Sequence, residues 1–170
     1  MDRMSSIELA LQNEKSEMEF YLQEAKRSKN ETAKQMFSLI AKDELEHMTR
    51  IKALHGKLVS NGKWPEDVPI EVKGTTVRDI LKALPAKARK DDHDDDDIRA
   101  LKHAMEFEKK GSKFYSDLAG ACSNKMEKNF FEFISKIENE HYRSLSDTLL
   151  YLTDPESWFR EKERSGLDGA

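Results

Sequence analysis

Apolar residues recur at alternating intervals of three and four positions along four stretches of the chain. The first stretch runs from Ile7 to Ala25, and the others lie within 33–54, 98–119 and 131–152. This spacing gathers the apolar side chains on one face of an α-helix. The pattern predicts helices near 6–28, 31–56, 96–121 and 125–152.

The two halves of the chain are related by an internal duplication. A gap-free shift of 94 residues places identical residues opposite each other at 14 positions, among them Glu14 with Glu108 and His47 with His141. Over about 41 aligned positions chance would give roughly two or three identities. Each half is therefore predicted to form a helical hairpin, and together they predict an all-α four-helix bundle.

The chain between and after the hairpins is predicted to connect and cover them. Residues 57–95 contain three Pro and two Gly, and such a segment is long enough to cross over along a bundle. One short helix is expected within it after Thr76. In the tail, 153–170, Asp154-Pro155 predicts the start of a short C-terminal helix. The whole chain, 1–170, is expected to form one domain.

Polar residues at three predicted helix starts have the spacing of N-caps. Ser5 precedes Glu8 by three residues, and Asn124 precedes Glu127 by three. In such pairs the first side chain accepts a hydrogen bond from a backbone N–H of the first turn. Asn30 is placed to cap the second helix.

Six ionisable residues occupy positions on the apolar helix faces. They are Glu14, Glu44, His47, Glu108, Glu138 and His141. Each Glu pair is 30 residues apart around its own hairpin turn, so all six are expected at one depth in the bundle. Buried carboxylates are costly without a compensating partner, and four of them exceed what two His can neutralise. A bound cation would explain how four carboxylates can be buried, whereas a metal-free structural bundle would leave their burial unexplained.

The spacing within the set favours two metal ions. Glu and His three residues apart project from the same face of a helix, as Glu44 and His47 do, and again Glu138 and His141. Four carboxylates with two neutral imidazoles balance the charge of two divalent ions. A mixed oxygen and nitrogen set suits iron or manganese better than structural zinc, so iron is expected, with manganese or a mixed pair as alternatives.

Four neighbouring positions leave alternatives open. Tyr21 and Tyr115 are either core aromatics or hydrogen-bond donors that orient a ligand carboxylate. Glu17, one turn from Glu14, is either a solvated or structural residue or an additional metal ligand. Its counterpart in the second half is Gly111, which is expected to make room for Glu17 or for a substrate.

Net charge and cysteine content limit the partners and the cellular location that are expected for the chain. The net charge is −4, and a single cysteine, Cys122, excludes a disulfide framework and a four-Cys metal site. Nucleic acid and membranes are therefore not expected as partners, and a reducing, cytoplasmic location is expected. The acidic run 91–97 is expected to begin the third helix favourably, with cation gathering as the alternative.

The segments Glu14–Tyr21 and Asp43–His47, repeated at Glu108–Tyr115 and Glu138–His141, resemble the rubrerythrin family of the ferritin-like superfamily. The resemblance implies a ferritin-like bundle with a long crossover and a di-iron site. Glu14 and Glu108 would be the terminal carboxylates and Glu44 and Glu138 the bridging ones. His47 and His141 would be the nitrogen ligands.

The same resemblance implies an activity and its partners. The expected function is a di-iron oxidoreductase that reduces hydrogen peroxide, or dioxygen, and the alternative is an iron-binding ferroxidase for storage. Rubrerythrins proper carry a rubredoxin-like iron centre held by four Cys, which a chain with Cys122 alone cannot build, so an external electron donor, rubredoxin-like or other, is expected. They also usually have an extra Glu where this chain has Gly111.

The oligomeric expectation comes from the aromatic residues outside the four long helices. A bundle with one exposed apolar face usually dimerises, and a homodimer is expected. Trp64, Trp158 and Phe159 are candidates to cover that face, either within one chain or across a two-fold axis.

Overall fold

Six helices and no strand form the part of the chain that the computed structural model describes, residues 3–63, 74–84 and 94–167. They are α1 (Arg3–Arg27), α2 (Glu31–Asn61), α3 (Arg78–Lys82), α4 (Asp95–Ala121), α5 (Lys125–Thr153) and α6 (Pro155–Leu167). The predicted all-α architecture is confirmed. Four of the helices are long, and the other two are the short helices predicted in the crossover and the tail.

The four long helices form two hairpins that pack on each other. α1 pairs with α2 across a turn at 28–30, and α4 pairs with α5 across a turn at 122–124. Between the hairpins, α1 contacts α4 and α2 contacts α5, while α5 also supports α3 and α6. The two helices with a Glu-x-x-His sequence, α2 and α5, therefore lie side by side.

The hairpin turns are closed by the two predicted Asn caps. The Asn30 Oδ1 accepts a hydrogen bond from the Ala33 N–H at 2.9 Å. The Asn124 Oδ1 accepts from the N–H groups of Met126 and Glu127, at 2.8 and 3.1 Å. The predicted Ser5 cap is wrong, because α1 is already helical at Arg3 and Ser5 lies inside it.

The crossover begins later than predicted because α2 continues five residues beyond 56. Gly56 lies inside α2, and the helix ends at Gly62, whose φ of 64° is left-handed and whose N–H bonds to the Leu58 carbonyl. Within 74–84, α3 follows the predicted position, but its N-cap is Val77 and not Thr76, and this end has no side-chain cap hydrogen bond. Trp64 and the crossover prolines lie outside the described residues.

The start of α4 joins the acidic run to the first hairpin turn. Asp94 caps the helix by accepting a hydrogen bond from the Asp97 N–H at 2.9 Å. Asp97, which is fully buried, accepts hydrogen bonds from the Ser28 hydroxyl at 2.6 Å and the Asn30 N–H at 3.1 Å. Arg27 lies 3.6 Å from the same carboxylate. The described part of the run therefore serves the helix start, as predicted, while residues 91–93 lie outside the described residues.

Two separate apolar clusters fill the interior, one toward each end of the bundle. The first surrounds Phe37, Ile40 and Leu145, and it includes Trp158 of α6, which is 6% exposed. The second surrounds Ile51, Phe131 and Ile134. Trp158 thus covers the bundle within its own chain. Along α2 the first cluster includes Ile40 and the second includes Ile51, so Glu44 and His47 lie in a layer between the clusters.

Candidate metal centre

The layer between the apolar clusters holds all six ionisable residues singled out in the sequence. α1 supplies Glu14 and α4 supplies Glu108, while α2 and α5 each supply a Glu and a His. Every one of the six side chains is completely shielded from solvent. The equal distances of these residues from the hairpin turns explain why they meet at one depth.

His47 is the centre of one group of possible ligands. Its Nδ1 lies 3.2 Å from the Glu14 Oε2, 3.1 Å from the Glu44 Oε2 and 3.3 Å from the Glu138 Oε1. The ligand atoms of this group all lie within 4.8 Å of one another. Atoms bound at about 2.1 Å to a common ion lie about 3 Å apart, so one ion fits among them.

His141 is the centre of the second group. Its Nδ1 lies 3.3 Å from the Glu44 Oε1, 3.4 Å from the Glu108 Oε2 and 3.9 Å from the Glu138 Oε2. These atoms also lie within 4.8 Å of one another. The two imidazole rings are nearly parallel, with centroids 6.2 Å apart.

Glu44 and Glu138 belong to both groups, and each presents a different oxygen to each His. Glu44 directs Oε2 toward His47 and Oε1 toward His141, whereas Glu138 directs Oε1 and Oε2 in the same order. Glu14 and Glu108 each belong to one group only. This arrangement is suited to two cations that share two carboxylates.

The two buried tyrosines connect the halves of the duplication. The Tyr21 hydroxyl donates a hydrogen bond to the Glu108 Oε1, and the Tyr115 hydroxyl donates one to the Glu14 Oε1. Both contacts leave the Oε2 of the same Glu directed at a His. Burial, together with the charge of the accepting Glu, raises the pKa of each tyrosine well above its usual value, so both hydroxyls keep their protons.

Burial and the proximity of like charges make it unfavourable for every carboxylate of the cluster to be ionised at once. Burial and the neighbouring charge of Glu44 raise the pKa of Glu14 from 4.5 to about 7, and burial and Glu108 raise the pKa of Glu138 well above its usual value. Burial alone would lower the pKa of both His, but the surrounding carboxylates raise it well above 6.5. Without a metal ion, these Glu and His side chains therefore keep protons, which reduce the negative charge of the cluster as a cation would.

The pKa of Glu44 shifts in the opposite direction. Burial and the charge of Glu138 would raise it, but the charge of His47 and the hydrogen bonds of His141 and His47 lower it below its usual value. Glu44 therefore favours its ionised form between the two imidazoles.

Buried atoms without a hydrogen bond of normal geometry show that these residues fit a metal pair. In the described part of the chain, such atoms include the Glu14 Oε2, the Glu44 Oε1, the Glu108 Oε2, both Glu138 carboxylate oxygens and the His141 Nδ1. All of them face the interior of the two groups. Buried polar atoms are normally satisfied, so their shared orientation indicates a ligand that bonds to several at once.

Glu17 lies beside the two groups but belongs to neither. It is half-buried, and burial and the charges of Glu138 and Glu44 raise its pKa well above the usual value. Its role as an additional ligand stays a prediction. The space at Gly111 is bordered by Glu138, because a Cβ there would lie 3.6 Å from the Glu138 Cγ and Oε2.

Sequence reasoning missed Asp43. Its Oδ2 lies 3.0 Å from the Nε2 of His141, on the side of the ring that faces away from the carboxylates. The duplication identifies positions that are occupied by the same residue in both halves. Asp43 is not among them, because its counterpart is Ile137. An acidic residue directly before Glu44 was the available signal.

The family comparison agrees with this geometry. Residues 6–149 match the Rubrerythrin family model, which covers most of the chain and all six clustered residues. The chain belongs to the rubrerythrin family. Its fold is therefore the ferritin-like bundle, and the buried carboxylate and His cluster of this rubrerythrin-family chain fits a di-iron site.

No curated protein and no solved structure matches the chain. Among the described helices, none is both long and apolar enough to cross a membrane.

Replacing Gly111 by Ala is expected to increase the free energy of unfolding by about 0.5–1 kcal/mol, because Ala is the better helix former and the added methyl makes an ordinary contact with Glu138. Urea denaturation of the metal-free protein measures this. Gly56→Ala is the matched control, since its methyl would meet no atom of the described chain within 4 Å. A loss of stability in Gly111→Ala alone would show that the site needs the space.

Proposed function

We propose that this rubrerythrin-family protein is a di-iron oxidoreductase that reduces hydrogen peroxide with electrons from an external donor. The observation that carries the proposal is the sharing of Glu44 and Glu138 between two His-centred groups. Reduction of peroxide to two waters breaks one O–O bond and consumes two electrons and two protons. Iron bound at both positions would supply one electron from each ion, which matches this need.

The proposed metal ligands follow from the two groups. His47 and Glu14 would hold one ion, and His141 and Glu108 would hold the other. Glu44 and Glu138 would lie between the ions, each with one oxygen toward each position. The set of carboxylate and imidazole donors favours iron, with manganese as the alternative.

The tyrosines would keep the two terminal carboxylates in place. Each hydroxyl holds one oxygen of its Glu and leaves the other directed at the metal position. Because Tyr21 binds Glu108 and Tyr115 binds Glu14, each half of the bundle orients a ligand of the other half. Because burial and the neighbouring carboxylates raise the pKa of both tyrosines well above the usual value, both hydroxyls are protonated donors.

Burial would protect the reaction from bulk water. All six proposed ligands are solvent-shielded, and an apolar cluster lies on each side of them. Hydrogen peroxide is small enough to reach such a layer, whereas a bulky substrate would need a cleft. We propose that electrons reach the bundle from a donor outside it, because these 170 residues contain one cysteine and cannot themselves hold a four-Cys iron centre.

The test is to mix reduced, iron-loaded protein with stoichiometric hydrogen peroxide, and separately with dioxygen, in a stopped-flow absorbance experiment. We expect peroxide to oxidise the iron much faster than dioxygen. Glu138→Gln, which removes a shared carboxylate at nearly constant volume, should lose this reaction. Faster oxidation by dioxygen, with further ferrous ion oxidised and retained beyond two per chain, would favour iron storage instead.

Particle size gives an independent check on the storage alternative. Storage requires a hollow multimer, whereas we propose a homodimer for this oxidoreductase. Sedimentation velocity of the iron-loaded protein distinguishes a dimer from a cage directly.

A further inference from the structure

The outer ring nitrogens of the two clustered His residues have different surroundings. The Nε2 of His141 lies 3.0 Å from the Asp43 Oδ2. The Nε2 of His47 is buried and has no hydrogen-bond partner within the described ranges. Both rings direct Nδ1 at the carboxylates, so the difference lies entirely on the side away from the proposed metals.

The asymmetry originates in the sequence. The 94-residue shift that relates His47 to His141 also relates Asp43 to Ile137. Ile137 is 3% exposed and belongs to the apolar cluster around Ile134. The duplicated site therefore has an acidic residue before the Glu of α2 and an apolar one before the Glu of α5.

Asp43 is held on two sides. Besides its contact with His141, it accepts a hydrogen bond from the Thr75 side chain, which belongs to the crossover segment before α3. These two contacts hold the Asp43 carboxylate in place behind the His141 ring. Thr75 also accepts a hydrogen bond from the Val77 N–H at 3.2 Å, which fixes its own position.

A carboxylate behind a metal-binding imidazole has two physical effects. It accepts a hydrogen bond from the N–H on the outer nitrogen, which fixes the tautomer whose inner nitrogen has a free lone pair, and it makes that inner nitrogen a stronger base. With a metal bound, the Nε2–H of His141 would donate to Asp43 and the lone pair on Nδ1 would be directed at the metal position. His47 receives neither effect from a corresponding residue.

We propose that Asp43 is a positioning residue that makes the two metal positions unequal, so that the position at His141 binds a divalent cation more tightly than the position at His47. This inference rests on the metal assignment of the proposed function. Removal of such a hydrogen-bond partner typically costs about 10–100-fold in metal affinity. That loss should fall on one of the two positions only.

Titration of metal-free full-length protein with cobalt(II), followed by its visible absorption, tests the proposal. The unmodified protein should bind two ions in distinguishable steps. Asp43→Ala should weaken the tighter step by about 10–100-fold and leave the weaker step unchanged. Asp43→Asn can still accept the hydrogen bond but lacks the charge, so it should show a smaller loss, and Thr75→Val should shift the same step by less again.

Glu46→Gln is the matched control, because it removes one negative charge from α2 near the site while the Glu46 carboxylate pairs with Arg50 instead. It should leave both steps unchanged. Proton NMR of the cobalt-loaded protein adds a spectroscopic readout: the Nε2–H resonance of His141 should be shifted by its hydrogen bond to Asp43, and Asp43→Ala should change that resonance while leaving the Nε2–H resonance of His47 in place.

Three results would overturn the inference. Two equal binding steps in the unmodified protein would show that the positions are equivalent. Equal weakening of both steps in Asp43→Asn, which keeps the shape of the side chain, would indicate a general structural role. Absence of any cobalt binding would overturn the metal assignment itself, and with it the proposed function.

Discussion

Replacing Glu44 by Gln is expected to empty both metal positions, whereas replacing Glu14 by Gln is expected to empty only one. Glu44 presents one oxygen to each His-centred group, but Glu14 belongs to the His47 group alone. Loss of a hydrogen-bond partner behind a ligand costs about 10–100-fold in affinity, so loss of a ligand should cost more than about 100-fold. Elemental analysis after dialysis against iron-free buffer measures the ions retained per chain.

The comparison contains its own controls. Glu138→Gln should behave like Glu44→Gln, and Glu108→Gln should behave like Glu14→Gln, because the structure relates the residues in these pairs by the duplication. Glutamine preserves side-chain volume, so the bundle should remain folded, which circular dichroism verifies. If Glu44→Gln kept one tightly bound ion, as Glu14→Gln is expected to, the Glu44 carboxylate would serve one metal position and not both.

The duplication explains why the depth and membership of this layer could be predicted from sequence. Equal spacing around two turns fixes where Glu14 and Glu108 meet the paired Glu and His of the other helices, whatever the details of packing. Which carboxylate oxygen faces which His, however, depends on side-chain rotamers. The crossed contacts of Tyr21 and Tyr115 depend on how the two hairpins dock.

Features that belong to only one half could not be predicted by comparing the halves. Asp43 is opposite Ile137, so the contact with His141 has no repeated signature. The sequence predicts the end of α2 five residues too early, at 56 and not at Asn61, for a local reason. A glycine inside a helix and one that ends it look alike in sequence, and only the left-handed φ of Gly62 identifies it as the cap.

The metal-free protein is expected to lose stability as pH rises from about pH 5 to about pH 8. Glu14 has a pKa of about 7 in the folded chain against 4.5 when it is exposed, so folding favours its protonated form. As pH rises through this range, the unfolded chain releases the proton and the folded chain must either hold it or bury a charge. Glu14 alone contributes a loss on the order of 3 kcal/mol.

The imidazoles act in the same direction. The folded-state pKa of His47 and of His141 lies well above 6.5, so their ion pairs stabilise the fold fully below 6.5 and are lost as pH rises through the folded pKa. The raised pKa values of Glu138 and Glu17 add to the trend. Only in stronger acid does the trend reverse.

That reversal comes from carboxylates whose pKa is lowered. Glu44 and Asp43 stabilise the fold when ionised, and this contribution is lost as pH falls through their folded-state pKa values. The stability of the metal-free protein should therefore pass through a maximum near about pH 5. Glu14→Gln, which cannot titrate, should flatten the decline on the alkaline side.

A divalent metal should invert the dependence. Metal ions bind deprotonated ligands and compete with the protons that stabilise the metal-free cluster, so the increase in midpoint temperature on adding metal should grow with pH. Thermal unfolding of chelator-treated and iron-loaded protein, measured at matched pH values, checks both trends. Constant or rising stability of the metal-free protein between about pH 5 and about pH 8 would contradict this account. It would show that the pKa values of Glu14, His47 and His141 are not raised in the folded protein.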